Sequence, residues 1–82
     1  MKKNIEPINE KGQAHGYWET YYTNGNPHFK GNAVNGQPHG YWESYYTNGN
    51  IHQKGQFNNG KPYGNWEVYD TQGILITEIY CT

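Results

Sequence analysis

The chain repeats itself every 24 residues. His15 to Pro38 reads HGYWETYYTNGNPHFKGNAVNGQP, and His39 to Pro62 reads HGYWESYYTNGNIHQKGQFNNGKP; the two blocks differ at seven positions. A looser third copy, YGNWEVYDTQGILITEIYCT, starts at Tyr63. Periods of this size mark repeat architectures, in which each unit stacks only on its neighbours. The chain therefore divides into a half-repeat over 5–14 and repeats over 15–38, 39–62 and 63–82, in one domain spanning 1–82. Such an array works against an enzyme, because an active site needs unlike residues converging on one point. No catalytic activity is expected.

Composition narrows the picture. Hydrophobic residues make up 33% of the 82 residues and charged ones 16%, while aromatics reach 17%. The chain is too aromatic for disorder and too poor in aliphatics for an ordinary core. Nine Tyr and three Trp must supply most of the burial, at roughly 150–250 Å² each. The net charge of −1, with no basic run beyond Lys2-Lys3, argues against nucleic acid and anionic membrane surfaces as partners. The single Cys81 excludes an internal disulfide. MKKNIEPINEK has no apolar stretch of a secretory signal, and no segment approaches the ~20 apolar residues of a membrane span. A cytoplasmic protein is the expectation.

The repeat reads as a hairpin. Tyr17 to Thr23 is rich in aromatics and Thr, which favour strands, and Asn24-Gly25 follows. Asn-Gly suits a two-residue type I′ turn, where both central residues need φ > 0. The returning strand covers about Asn26 to Val34, and Asn35-Gly36-Gln37-Pro38 makes a second turn. Repeat two has the same punctuation at Asn48-Gly49 and Asn59-Gly60, and repeat three has Gln72-Gly73. Walking back from a two-residue turn, Tyr22 faces Pro27, Thr20 faces Phe29, Trp18 faces Gly31, Tyr21 faces His28 and Glu19 faces Lys30. Repeat two sets Glu43 opposite Lys54 and Trp42 opposite Gly55. A one-residue slip would break every such pair at once.

Two faces follow. One carries Trp18, Tyr22, Phe29, Trp42, Tyr46, Ile51, Phe57, Trp66, Leu75 and Ile79, and is expected to be the concave side. The other carries Tyr17, Glu19, Tyr21, Lys30, Tyr41, Glu43, Tyr45, Lys54 and Tyr69, and faces water. Ile5 to Gly16 aligns with Phe29 to Gly40, so the chain opens on a single strand. The expected fold is all-β: about seven antiparallel strands in one layer of consecutive hairpins.

The run G-Y-W-E-x-Y-Y-x-N-G, then K-G, then N-G-x-P-x-G, resembles the bacterial variant of the MORN repeat. The resemblance covers about Ile5 to Thr82. Its elements here are Gly16, Trp18, Tyr22, Asn24-Gly25 and Gly31, their counterparts Gly40, Trp42, Tyr46, Asn48-Gly49 and Gly55, and Trp66. Repeat three departs from it with Asp70 for the second Tyr, Gln72 for Asn and Ile79 for Gly, as a terminal unit would. The resemblance implies a hairpin sheet used for protein–protein contact, and bacterial members are often described as antitoxin-like. The Trp, paired Tyr and Gly are also similar to cell-wall choline-binding repeats, whose aromatic cages hold a quaternary ammonium. The Asn-Gly hairpins and the K-G step fit the first family better.

The remaining candidates for chemistry read as structure. Equivalent histidines of His15, His28, His39 and His52 lie two strands apart, roughly 9–10 Å at the usual strand spacing, too far to share a metal. No metal or cofactor is expected. Glu19, Glu43 and Glu67 form a ladder with Lys30 and Lys54, read as cross-strand pairing. Its third rung sets Glu67 against Glu78, a like-charge pair that drift in a terminal repeat or a partner's Lys or Arg would explain. Cys81 reads as a small apolar residue of the last strand.

Two features point to a partner. Tyr17, Tyr21, Tyr41, Tyr45 and Tyr69 form rows of the kind enriched at interaction hot spots, although a single-layer sheet needs aromatics on both faces merely to exist. The last strand, Ile74 to Thr82, adds Ile74, Ile76 and Tyr80 on the outer face to Leu75 and Ile79 on the inner one. An edge strand apolar on both faces invites pairing, whereas the N-terminal edge is blunted by Pro7, Glu6 and Glu10. The expected function is a protein-interaction module, either an antitoxin-like inhibitor or an adaptor, with a protein partner or a homo-oligomer. A structural assembly subunit of the virion or tail type, and an aromatic-cage binder of glycan or choline, are the alternatives.

Overall fold

The computed structural model describes residues 3–82. Met1 and Lys2, which belong to the stretch read above as lacking a secretory signal, lie outside the described residues. Six strands form one antiparallel sheet whose spatial order follows the chain. They are β1 (Gly16–Tyr21), β2 (Pro27–Val34), β3 (Gln37–Tyr45), β4 (Ile51–Asn58), β5 (Lys61–Tyr69) and β6 (Leu75–Cys81). The molecule measures 40 × 37 × 11 Å, one sheet thick. No helix long and apolar enough to cross a membrane occurs among the described residues.

Among the described residues the strand count is six rather than about seven. The N-terminal half-repeat runs beside β1 but forms no ladder with it: an isolated bridge links Ile5 to Glu19, and a second, Ile8 to Ala14, lies within the segment. Pro7, between them, has no N–H to donate, so a continuous ladder cannot form there. Its carbonyl still serves twice, accepting from His15 N at 3.0 Å and from the Trp18 indole at 2.9 Å.

The central register is the one the charge and size pairs imply. Trp18 pairs with Gly31, Glu19 with Lys30 and Thr20 with Phe29. Trp42 pairs with Gly55, Glu43 with Lys54, and Glu67 with Glu78. Near the turns the register departs from expectation. A bulge after Thr20 sets Tyr21, not Tyr22, against Pro27, and Tyr45 likewise meets Ile51.

The bulge follows from the turn. Gly25 N bonds to Tyr22 O at 2.9 Å and Tyr22 N to Asn26 O at 2.8 Å, which closes a three-residue loop over Thr23, Asn24 and Gly25. Only Gly25 has positive φ, at 92°. This is a type I turn followed by a left-handed Gly, not the two-residue type I′ turn expected there. The type I′ turns lie instead between repeats. Asn35 and Gly36 have φ of 50° and 86°, and Asn59 and Gly60 of 50° and 87°. Val34 pairs directly with Gln37 and Asn58 with Lys61, as a two-residue loop requires.

Little of this sheet is a core. Ala33 and Trp66 are its buried apolar residues, and no side chain among the described residues is fully enclosed. Burial comes from rings lying along the sheet. Phe29, Trp42, Phe57 and Trp66 form a seam with successive centroids 5.4, 6.3 and 5.0 Å apart. The glycine under each Trp is not the one it pairs with inside its hairpin. A Cβ at Gly31 would lie 2.1 Å from the Trp42 ring, and one at Gly55 2.2 Å from the Trp66 ring. Repeats two and three therefore each lay their Trp on the glycine of the repeat before. A bulge after Gly31 frees the Asn32 carbonyl, which accepts the Trp42 indole N–H at 2.8 Å; Gln56 O accepts that of Trp66 at 3.1 Å.

Candidate functional site

Three surfaces are available: the Trp face, the Tyr/Glu face and the free edge at β6. The Trp face carries a groove of about 430 Å³ whose lining includes Trp18, Phe29, Trp42, Phe57 and Trp66. Ser44 and Gln53 also line it. Ser44 Oγ and its repeat equivalent Thr20 Oγ1 are buried with no hydrogen-bond partner, and Val68 occupies the third equivalent position.

The Tyr/Glu face is organised by one local rule. In a strand, residues two apart share a face. Tyr17, Glu19 and Tyr21 therefore line up, as do Tyr41, Glu43 and Tyr45. The Tyr17 hydroxyl donates to Glu19 at 2.7 Å and Tyr21 donates to the same carboxylate. Tyr41 and Tyr45 donate to Glu43 at 2.8 and 2.5 Å. In repeat three Asn65 replaces the first phenol, and Tyr69 alone donates to Glu67, at 2.8 Å.

Across the strands the same face carries a charge row, in the order Glu19, Lys30, Glu43, Lys54, Glu67, Glu78. Lys30 pairs with Glu19 at 3.8 Å, inside its hairpin. Lys54, aligned with Glu43 as expected, closes instead on Glu67 of the next repeat at 3.4 Å. Glu67 carries one phenol where Glu43 carries two. Each ammonium also sits over a tyrosine ring of the next repeat, Lys30 5.8 Å from the Tyr45 centroid and Lys54 5.7 Å from that of Tyr69.

These contacts shift the titrations. The hydrogen bond to Glu19, aided by desolvation, raises the Tyr17 phenol from 10.0 to about 12. Desolvation and the Glu43 carboxylate raise Tyr41 to about 12, and the same pair of causes raises Tyr45. Glu67 is lowered, chiefly by the Tyr69 hydroxyl and then by Lys54.

The rows of Tyr thus have an internal task for their hydroxyls, and the rings of Tyr45 and Tyr69 also carry a lysine each. Tyr17 and Tyr41 are exposed, while Tyr21, Tyr45 and Tyr69 are half-buried. Tyr22 and Tyr46, placed on the structural side, reach forward across the repeat boundary. Tyr22 donates to Tyr45 O and Tyr46 to Tyr69 O, both at 2.7 Å.

Sequence reading did not find the rest of this stitching. Asn24 and Asn26 both donate to Thr47 O, and Asn48 and Asn50 both donate to Thr71 O. The signal was present: Thr-Asn-Gly-Asn is identical in the first two repeats and lost in the third. At the opposite sheet end the histidines do similar work. His15 Nδ1 accepts Asn35 N at 3.2 Å and His39 Nδ1 accepts Asn59 N at 3.4 Å. His28 stacks on Tyr22 and His52 packs on Tyr46, with centroids 4.4 and 4.5 Å apart.

A family model described as the MORN repeat variant matches residues 14–35 and 38–59, which is more than half of the chain. The chain belongs to the MORN repeat family. The two matches cover the two near-identical units and stop short of the atypical third. No curated protein and no solved structure gives a match. MORN repeats are generally non-catalytic modules, often engaged in protein or membrane-lipid contacts.

In this MORN sheet β6 stands apart. Six of its seven residues are exposed. Ile76 and Tyr80, at 60% and 74%, lie on the face of Glu78, whereas Ile79 and Cys81 border a small cleft with Trp66. It is the last strand in the sheet order, and its outer backbone groups pair with no strand among the described residues.

Proposed function

We propose that the chain is a non-enzymatic protein-interaction module that docks a protein through its β6 edge, acting as an inhibitor or an adaptor. The observation that carries this is a seven-residue edge strand with exposed apolar side chains on both faces. Leu75, Ile76, Ile79 and Tyr80 together make an apolar surface that a soluble sheet normally blunts with charge, Pro or a bulge. Strand addition covers both faces at once and satisfies the open backbone groups. The ladder carboxylates support the absence of catalysis, since Glu19, Glu43 and Glu67 are each held by phenols of their own strand.

The test is Ile76→Lys with Tyr80→Lys, compared with wild type by circular dichroism, solution mass and retention of co-purifying protein. The expected result is an unchanged spectrum with loss of a specific retained protein. If mass and retention are both unchanged in the folded double variant, the reading fails. A wild-type chain that forms a defined oligomer, lost in the variant, would replace a foreign partner with the structural-subunit alternative.

A further inference from the structure

Resting on that reading of β6, we infer that the docked strand carries a Lys or Arg opposite Glu78. The charge row alternates from Glu19 to Glu67 and then breaks, with Glu78 directly across from Glu67. Like charges in that relation are unfavourable. The four carboxylates are also unequally satisfied. Glu19 has two phenols and Lys30, Glu43 has two phenols, and Glu67 has Tyr69 and Lys54. Glu78 accepts from Asn65 Nδ2 at 3.3 Å and its carboxyl stands within hydrogen-bonding reach of that of Glu67, and no lysine lies within ion-pair distance of it among the described residues. β1 and β3 flank their glutamate with two tyrosines and β5 with Asn65 and Tyr69, whereas β6 offers Ile76 and Tyr80, both exposed. A cation on the next strand would restore the alternation, and apolar or aromatic residues two places to either side would cover Ile76 and Tyr80.

A foreign strand fits this place better than more of the same chain. Each MORN unit binds the next through its turn, by a Tyr hydroxyl and two Asn amides. In the third unit Asp70 and Gln72 replace the Tyr and the first Asn, and Ile74 replaces the second. Asp70 Oδ1 instead accepts Gln72 N and Ile74 N within its own loop, at 2.9 and 3.0 Å. The third turn has lost the groups that would hold a fourth repeat. A second copy offers no cation in register either. Its own β6 contains no Lys or Arg, and its N-terminal edge brings Ile5 to the charge row, opposite Glu19.

The experiment pans random seven-residue peptides displayed on phage against the full chain, in parallel with Glu78→Lys and Glu78→Gln, each checked for an unchanged circular dichroism spectrum. Enriched sequences are then compared as twin peptides differing only in Lys or Glu at the fixed position. Wild type is expected to enrich a basic residue there, with apolar residues two places away, and to prefer the Lys twin about tenfold. Glu78→Lys reverses the preference and Glu78→Gln abolishes it. Alternating apolar strands with no preference at that position, unaltered by Glu78→Lys, overturn the cation and leave strand docking standing. No enriched strand overturns both. A stable wild-type dimer at low micromolar concentration, broken by Ile76→Lys, makes a second copy the occupant and overturns the inference.

Discussion

At the residue scale the repeat boundary is a glycine under an indole. Gly31 and Gly55 do not have positive φ; they are needed because the Trp42 and Trp66 rings occupy the space a Cβ would take. Gly31→Ala forces the Trp42 ring off its seat and away from the Asn32 carbonyl. The expected cost is about 1–3 kcal/mol, read as a lower urea midpoint. In the Trp42→Leu background the same alanine should cost clearly less, a coupling that a double-mutant cycle measures. Equal costs in both backgrounds would show that the close approach is not the reason for the glycine. The K-G step and the Trp that pairs with each glycine were legible in the sequence. Which Trp covers it was not, because a bulge between repeats decides which ring swings over the gap.

At the element scale one dipeptide makes two turns. Asn-Gly ends both halves of the repeat, and only Asn35 and Asn59 adopt the left-handed conformation that a type I′ turn demands. At Asn24 the side chain bonds instead to Asn26 N at 2.9 Å and reaches Thr47 O, so the loop takes three residues and a bulge. The competing principle is local side-chain hydrogen bonding, which outweighs the intrinsic preference of Asn-Gly for the tighter turn. Asn35→Val, β-branched at positive φ, is expected to lose about 1–2 kcal/mol, while Asn35→Gly stays close to wild type. Thermal unfolding of the two variants checks the assignment, and a neutral valine would refute it.

At the scale of the whole molecule the phenol and carboxylate contacts act together. Tyr17 and Tyr41 keep their protons up to about pH 12 in the folded sheet, against 10.0 for an ordinary tyrosine. Their contribution to stability is complete below pH 10 and is lost as pH rises through 12, because the unfolded chain ionises first. Glu67, lowered in the folded state, acts in the opposite sense and loses its contribution as pH falls through its titration. Urea midpoints should therefore drop above pH 10, with tyrosinate absorbance of the folded protein lagging that of the urea-unfolded chain. Glu19→Gln should shorten the lag, since its hydrogen bond is the largest cause of the Tyr17 shift. A folded chain titrating at the unfolded value would show that these phenols are not held by the carboxylates.

The sequence by itself determined the repeat, the all-β single layer, the central register and the apolar character of the last strand. Each follows from period, alternation and pairwise charge, which are local or repeat exactly one unit apart. The tertiary structure decided what joins the units. The Trp on the preceding glycine, the turn-to-turn bonds from Tyr22, Asn24 and Asn26, and the choice of Glu67 over Glu43 by Lys54 all depend on bulges and on competition between neighbours. The Tyr rows show the limit most clearly: their spacing was visible, but that their hydroxyls are taken by Glu19, Glu43 and Glu67 required side chains in place. In a sheet one layer thick such lateral contacts replace a core, and no linear pattern records which of two adjacent partners a side chain will take.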